Sequence, residues 1–396
     1  MTTIAVAGVV PRDVVTPRSI DELARIVREL HDARKTFAFV GGGTHLALGN
    51  APRALDTVVR MTALDAVVDY TPEDQTITVE AGITLAELDR VLEQHGQMLP
   101  LDVADRARST VGGLVATNAY GRRRQRYGTA KDLIVGVGIV RPDGVRARGG
   151  GKVVKNVAGF DLPKLMVGSL GTLGAIATVT FRLYPIAQAV RAAALTFDHA
   201  DDVAAAARAL LERQLEPESV VLYNYDTLVV TIAGTRHGVD AQMTTLLAGV
   251  APACSGRARE LTELERESYE QRERAVRRDG AWRVRIAAPP STAVASLGAF
   301  VEAPPLAVPV AYPLLGVALH AYADGPASGG IDGMRERVAA ETRGAGNVVI
   351  AAMPDAARGT VDAWGPPPPS FALMRAMKRN FDPNGLCNPG RFVGGL

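Results

Sequence analysis

The chain reads as an α+β protein, with a glycine-rich first domain followed by a second domain built on antiparallel sheet. Three observations carry that reading. Short strand signals in the first part are interrupted by two glycine-rich passages, Val40-Gly-Gly-Gly-Thr-His-Leu-Ala-Leu-Gly49 and Ser109-Thr-Val-Gly-Gly-Leu-Val-Ala-Thr-Asn-Ala-Tyr-Gly121. The strand at Ala175–Tyr184 is closed by Pro185, and the texture changes from Arg191 onward. Beyond that point a strand–helix–strand–strand–helix–strand order comes round twice, a tandem ferredoxin-like βαββαβ pattern that lays one sheet under helices on one face. The domains are expected at residues 1–185 and 186–364, with a C-terminal segment 365–396 that opens on the stiff Gly365-Pro-Pro-Pro-Pro369.

The elements follow in order. Ser19-Ile-Asp-Glu22 is a capping box for a helix whose apolar stripe is Ile20, Leu23, Ile26, Val27 and Leu30. Thr36–Val40 is a buried strand that runs into the first glycine passage. Strands are expected at Thr57–Met61, Ala66–Tyr70 and Gln75–Glu80, and Thr84-Leu-Ala-Glu87 caps a helix that reaches about Gln94. The second glycine passage feeds a helix start. Leu133–Arg141 and Val145–Arg148 form a hairpin across Pro142-Asp-Gly144. In the second domain the first round reads strand Ala192–Phe197, helix Asp201–Arg213, strands Val220–Tyr225 and Leu228–Ala233, and helix Val239–Ala248. The mixed-charge stretch Glu260–Arg278 reads as a solvated helix. The second round is strand Trp282–Ala287, helix Thr292–Val301, strands Leu306–Ala311 and Gly316–Tyr322, helix Ile331–Thr342 and strand Asn347–Ala351. Side chains match poorly between the rounds. A last helix, Phe371–Asn380, precedes Asn388-Pro-Gly-Arg391.

Composition narrows the function. The 396 residues suffice for two or three cores, and 47% hydrophobic with 22% charged is ordinary for a globular chain. With 44 basic against 42 acidic residues, no bulk field favours nucleic acid. Cys254 and Cys387 are too few for a disulfide framework and lack zinc spacing, so reduced thiols and a cytoplasmic location are expected. No secretory leader or long apolar run is evident, which leaves peripheral docking on the inner face of a membrane open.

The two glycine passages carry the chemistry. Each sets Gly, Thr, Ser and Asn between apolar residues, so backbone N–H groups can close on an anion. Two such cradles suit a long cofactor with a pyrophosphate at its middle, and FAD fits that description. The first passage alone could be a mere flexible turn. It also fails the dinucleotide fingerprint Gly-x-Gly-x-x-Gly, because Leu46 stands at the last glycine, and this disfavours NAD. Thr44 can give a hydroxyl hydrogen bond to a phosphate oxygen. In the second passage Ser109, Thr110, Thr117 and Asn118 supply hydroxyls and an amide, while Gly112 and Gly113 allow close backbone approach. Gly168-Ser-Leu-Gly-Thr-Leu-Gly174 adds a third glycine run before a strand.

Gly41-Gly-Gly-Thr44, Thr110-Val-Gly-Gly113, Ala116-Thr-Asn118, Tyr127-Gly128, Lys131-Asp132, Lys155-Asn156, Asp161-Leu162, Gly168–Gly174 and Asn388-Pro-Gly-Arg391 stand in one order along the chain. In that order they resemble the FAD-linked oxidases of the vanillyl-alcohol-oxidase (PCMH-type) superfamily, and within it the FAD-binding E-type subunits of glycolate oxidase. The resemblance implies a two-subdomain FAD-binding domain followed by a lid domain. It implies that Gly41, Gly42, Gly43, Thr44 and His45 wrap the pyrophosphate. Ser109, Thr110, Gly112, Gly113, Thr117, Asn118 and Gly121 would line the flavin side. Gly174 and Ile176 would lie near the adenosine end, and Asn388 would return to the ring edge. FAD is expected to be non-covalent, because covalent members read Gly-His-Ser where this chain reads Gly-Thr-His45. The resemblance also implies partners, namely a catalytic flavoprotein subunit and an iron–sulfur subunit, with a small 2-hydroxy acid as substrate.

Departures bear on catalysis. Family members that turn over 2-hydroxy acids carry a His-x-Gly-Asp-Gly-Asn-x-His type passage that binds a metal. The nearest counterpart here, His320-Ala-Tyr-Ala-Asp-Gly325, has one histidine, so no metal site is expected. His320, Arg126 and Lys155 are weak catalytic candidates. The run Arg122-Arg-Arg-Gln-Arg126 either attracts a carboxylate or faces solvent or a partner, and the second reading is favoured. Three functions remain in view: an FAD-binding oxidoreductase subunit of a glycolate oxidase-type complex, a non-catalytic flavin-binding assembly subunit, and a stand-alone FAD-dependent D-2-hydroxy-acid dehydrogenase.

Overall fold

The structure, a computed structural model, describes residues 4–151, 160–250, 257–290, 309–325 and 330–396. They fall into two compact units. The first comprises residues 1–120, 128–186 and 355–396, and the second comprises 121–127 and 187–354. The proline-rich stretch therefore lies inside the first unit, and the chain re-enters that unit at Asp355 rather than at Gly365. Lys155, Asn156, Cys254 and the helix expected at Thr292–Val301 lie outside the described residues.

In the first unit, strands β1 (Asp13–Val15), β2 (Phe37–Val40) and β3 (Thr57–Arg60) form a parallel sheet of order β1-β3-β2. The helix Ile20–Asp32 buries Leu23, Val27 and Leu30. Its cap is half of the expected box. Ser19 Oγ accepts from Glu22 N at 3.1 Å, but the Glu22 carboxylate accepts from Arg18 N. The box at Thr84 is complete and starts the helix Leu85–Glu93. Strands β4 (Val67–Thr71) and β5 (Thr76–Glu80) pair as a hairpin, and β6 (Gln97–Met98) follows. Then come β7 (Ile134–Val140), β8 (Arg146–Gly150), β9 (Ala175–Arg182) and β10 (Tyr184–Pro185). A five-stranded antiparallel sheet runs β4-β5-β9-β7-β8, and β10 pairs with β6. Apolar side chains of β5, β7 and β9 form one core with Leu88 and Leu92, and Phe37, Val59 and the returning Leu386 and Cys387 form another.

The second unit is one eight-stranded antiparallel sheet. Its strands are β11 (Ala189–Thr196), β12 (Ser219–Tyr223), β13 (Thr227–Gly234), β14 (Arg257–Glu260), β15 (Trp282–Ala287), β16 (Val310–Tyr312), β17 (Val317–Tyr322) and β18 (Asn347–Ala352). The order β14-β11-β13-β12-β16-β17-β15-β18 is the ferredoxin-like order taken twice in mirror sequence, joined where β12 meets β16. β14, which supplies the last strand of the first round, is charged (Arg-Ala-Arg-Glu) and gave no strand signal.

Two sequence readings need correction here. The helix Glu263–Arg278 is not simply solvated, since Glu270 and Glu273 are buried. The basic run does not face solvent as a whole. Arg122 is buried and pairs with Glu270 at 2.9 Å, and Arg123 lies 3.2 Å from the buried Glu218. Among the described residues no helix is long and apolar enough to cross a membrane.

Candidate functional site: a cleft in the first unit

The first unit contains a cleft of about 730 Å³, a volume that includes its open mouth. It is walled by the end of β2, the loop Gly41–Leu46, the helix Val111–Thr117, and Leu170, Gly171, Gly174 and Ile176. Of the expected cofactor residues, Gly41, Gly42, Gly43, Thr44, His45, Thr110, Gly112, Gly113, Thr117, Gly174 and Ile176 line it. Phe39, Met61, Ala81 and Arg391, none of them among the expected cofactor residues, line the cleft too.

The two glycine passages serve different ends. In the first, the amides of Gly41, Gly42, Gly43 and Thr44 donate to no group among the described residues. The neighbouring carbonyls, in contrast, are taken. Gly42 O accepts from Arg108 at 3.4 Å, Leu46 O from Ala7 N and Arg391, Ala47 O from Arg358 at 3.0 Å, and Gly49 O from Arg358 at 3.1 Å. Carbonyls held on one side and amides left open are the makings of an anion nest. In the second passage the amides are committed. Val111 N donates to Ile83 O, Gly112 N to Ala81 O at 2.7 Å, and Gly113 N to Thr110 Oγ1. That passage is a wall and not a second nest.

Several of these glycines are required by protein packing. A Cβ at Gly42 would stand 1.5 Å from Arg108 O, one at Gly41 2.0 Å from Thr110 Oγ1, and one at Gly112 2.8 Å from Ala81 Cβ. Gly43 differs: at φ +76° it takes the left-handed conformation that glycine tolerates, with no atom nearer than 3.5 Å to an added Cβ. The strands contribute as well. The β7–β9 register slips between Gly138 and Ile139, a bulge that falls beside Ile176.

Other expected residues sit behind the wall. Ser109 Oγ is 3.2 Å from Thr44 Oγ1, which also meets His45 Nδ1 at 3.0 Å. Asn388, at φ +52°, donates through Nδ2 to Leu170 O, and its Oδ1 is buried without a partner. Asn118 and Ser169 likewise keep Oδ1 and Oγ buried and unpaired. Gly121 does not line the cleft; its carbonyl accepts from Arg124 N within the second unit. Cys387 is buried and donates to Gly171 O, and burial pushes its thiol up to about 12, which leaves it inert at neutral pH.

The catalytic candidates fare differently. Arg126 donates to Ala233 O and stacks over Tyr127, both in the second unit. His320 is 1% exposed in β17, faces the ring of Tyr322, and has both ring nitrogens unpaired. Burial lowers its pKa to about 4, so the imidazole is neutral. Lys155 lies outside the described residues.

Comparison with known proteins agrees with the cleft. Residues 11–149 match the FAD binding domain family and residues 366–392 match the C-terminal domain of FAD linked oxidases. Glycolate oxidase subunit GlcD of Bacillus subtilis (strain 168) is 30% identical over 56% of this chain and 47% of its own length. The mitochondrial cytochrome-type D-lactate dehydrogenase of Arabidopsis thaliana is 32% identical over 54% of this chain and 37% of its own. The chain thus spans less than half the length of these curated relatives. The fold is shared with p-cresol methylhydroxylase, with TM-score 0.70 over 96% of this chain and 88% of that one at 16% identity. The open amides of Gly41–Thr44 and the glycine-lined cleft fit FAD. The chain thus carries an FAD binding domain over residues 11–149 and a segment of the FAD linked oxidase C-terminal domain over residues 366–392.

Proposed function

We propose that the chain is an FAD-dependent oxidoreductase subunit that oxidises a small 2-hydroxy acid, or relays its electrons, in a glycolate oxidase-type complex. The observation that carries this is the row of open amides in the Gly41–Thr44 loop. The names of the relatives, glycolate oxidase subunit and D-lactate dehydrogenase, support the substrate class. Bound FAD supplies a two-electron acceptor for the hydride of the carbinol carbon. The chain's own residues bind and orient it: Gly41–Thr44 at the diphosphate, and the Val111–Thr117 helix and Leu170–Gly174 as walls that exclude water. The proposed partners are a catalytic flavoprotein subunit and an iron–sulfur subunit, docked together at the inner membrane face from the cytoplasm.

A second reading, a flavin-binding assembly subunit without turnover, is favoured by one observation: His320, the histidine of the altered passage, is enclosed in its own sheet. Anaerobic mixing of the FAD-loaded chain with glycolate or D-lactate separates the two. Bleaching of the visible flavin band by the chain alone identifies a stand-alone dehydrogenase. Bleaching only with the two partner subunits present supports the complex. No bleaching in either case, with FAD bound, overturns the oxidoreductase reading in favour of the assembly role.

A further inference from the structure

The cleft wall contains a charged side chain whose counter-ion no described residue supplies. Arg391 is 4% exposed and lines the cleft. Its Nη2 donates to the carbonyls of Leu46 and Leu48, and its Nε is buried with no partner. No carboxylate forms an ion pair with it among the described residues. Its charged neighbour is another cation, Arg358, which has Asp355 at 3.2 Å for itself. Burial first, and then the Arg358 charge, bring the Arg391 guanidinium down to about 10.

A buried cation beside a like charge is costly unless an anion completes the arrangement. The open amides of Gly41–Thr44 lie in the same wall and want the same partner. Within FAD only the diphosphate is anionic; the flavin and adenine rings are neutral. We propose that Arg391 is a cofactor-binding residue whose guanidinium is the counter-charge of the FAD diphosphate. The same guanidinium fastens the carbonyls behind the nest, so the C-terminal segment both shapes the anion site and neutralises its occupant. This rests on the FAD assignment and is independent of which hydroxy acid is oxidised.

The test uses the full chain stripped of flavin, titrated with FAD and with riboflavin, which lacks the diphosphate. Arg391→Gln keeps an N–H donor for the carbonyls and removes the charge; Arg391→Lys keeps the charge. Loss of a buried charged partner predicts that Arg391→Gln weakens FAD about thirtyfold or more. Riboflavin affinity should be unchanged and the salt dependence of FAD binding should flatten. Arg391→Lys should stay within about tenfold of the unsubstituted chain. The flavin-free Arg391→Gln protein should melt no lower than the parent, because an unpaired buried charge has been removed.

An FAD affinity within about threefold of the parent overturns the proposal. So does an equal loss of FAD and riboflavin accompanied by a lowered melting temperature of the flavin-free protein, which marks a purely structural role. If the parent itself takes up no FAD, the cofactor assignment falls, and this inference with it.

Discussion

Replacing Gly42 by alanine puts one methyl group where there is no room for it. The added Cβ would sit 1.5 Å from Arg108 O and 2.6 Å from Arg108 C. Both are backbone atoms, so no rotamer change relieves the clash. Opening the contact to even an ordinary van der Waals limit moves the first glycine loop about 2 Å from the Arg108 backbone. Overpacking of this kind costs folding about 1–3 kcal/mol. The effect on binding is larger, because hydrogen bonds tolerate only about 0.5 Å of spread in donor–acceptor distance. Losing two amide-to-phosphate bonds at about 1.5–3 kcal/mol each gives about 3–6 kcal/mol, or roughly two to four decades in FAD affinity. The assay is FAD titration of the flavin-free protein by flavin fluorescence, with circular dichroism to confirm folding. Gly385→Ala is the control: φ is +63° there, an added Cβ meets nothing within 4 Å, and the strain of about 1–2 kcal/mol should leave FAD binding alone. A folded Gly42→Ala protein that binds FAD within about threefold of the parent refutes the reasoning.

Three further outcomes follow from the structure. His320 is held neutral, with its pKa lowered to about 4 by burial, whereas the unfolded chain protonates it near 6.5; the unfolded state therefore binds the extra proton in that window. Stability should fall by about 3 kcal/mol as pH drops from about 6.5 to about 4, and His320→Leu should remove that part of the slope in urea unfolding; parallel slopes for the two proteins would count against it. Lys378 Nζ donates to Thr172 O, Cys387 O and the buried Asp382, so Lys378→Met should cost about 3–5 kcal/mol by stranding that carboxylate, measured by denaturant unfolding, and Lys378→Met with Asp382→Leu should recover much of it. His45 Nδ1 is engaged by Thr44 Oγ1, and acid precipitation of the loaded chain should leave the yellow colour in the supernatant, with or without His45→Ala.

Local chemistry made the fold legible where it is strong. The Thr84 box, the β7–β8 hairpin and the alternating β9 all announce themselves through side chains that act within a few residues. The doubled ferredoxin-like order was also readable, because strand and helix periods survive when individual side chains drift. β14 was not, since Arg257–Glu260 takes its strand form from pairing with β11 and has no apolar alternation of its own. The helix Glu263–Arg278 misled for a related reason: Glu270 and Glu273 look like surface charges until tertiary structure brings Arg122 to the first and the Tyr312 hydroxyl to the second. The glycine passages pointed to the cleft, but composition could not tell an amide left open at Gly43 from one spent at Gly112. The motif Asn388-Pro-Gly-Arg391 does not reveal what sets Arg391 apart, which is the lack of a carboxylate around it in space among the described residues.

The cleft draws its lining from residues far apart along the chain, with Gly41–Leu46 before the second unit and Arg391 after it. A ribosome synthesising this protein lays down the nest early and its closing residue late, with the whole second unit in between. On the proposed role of Arg391, a chain cut short before that residue would keep the Gly41–Thr44 nest and lack its counter-charge.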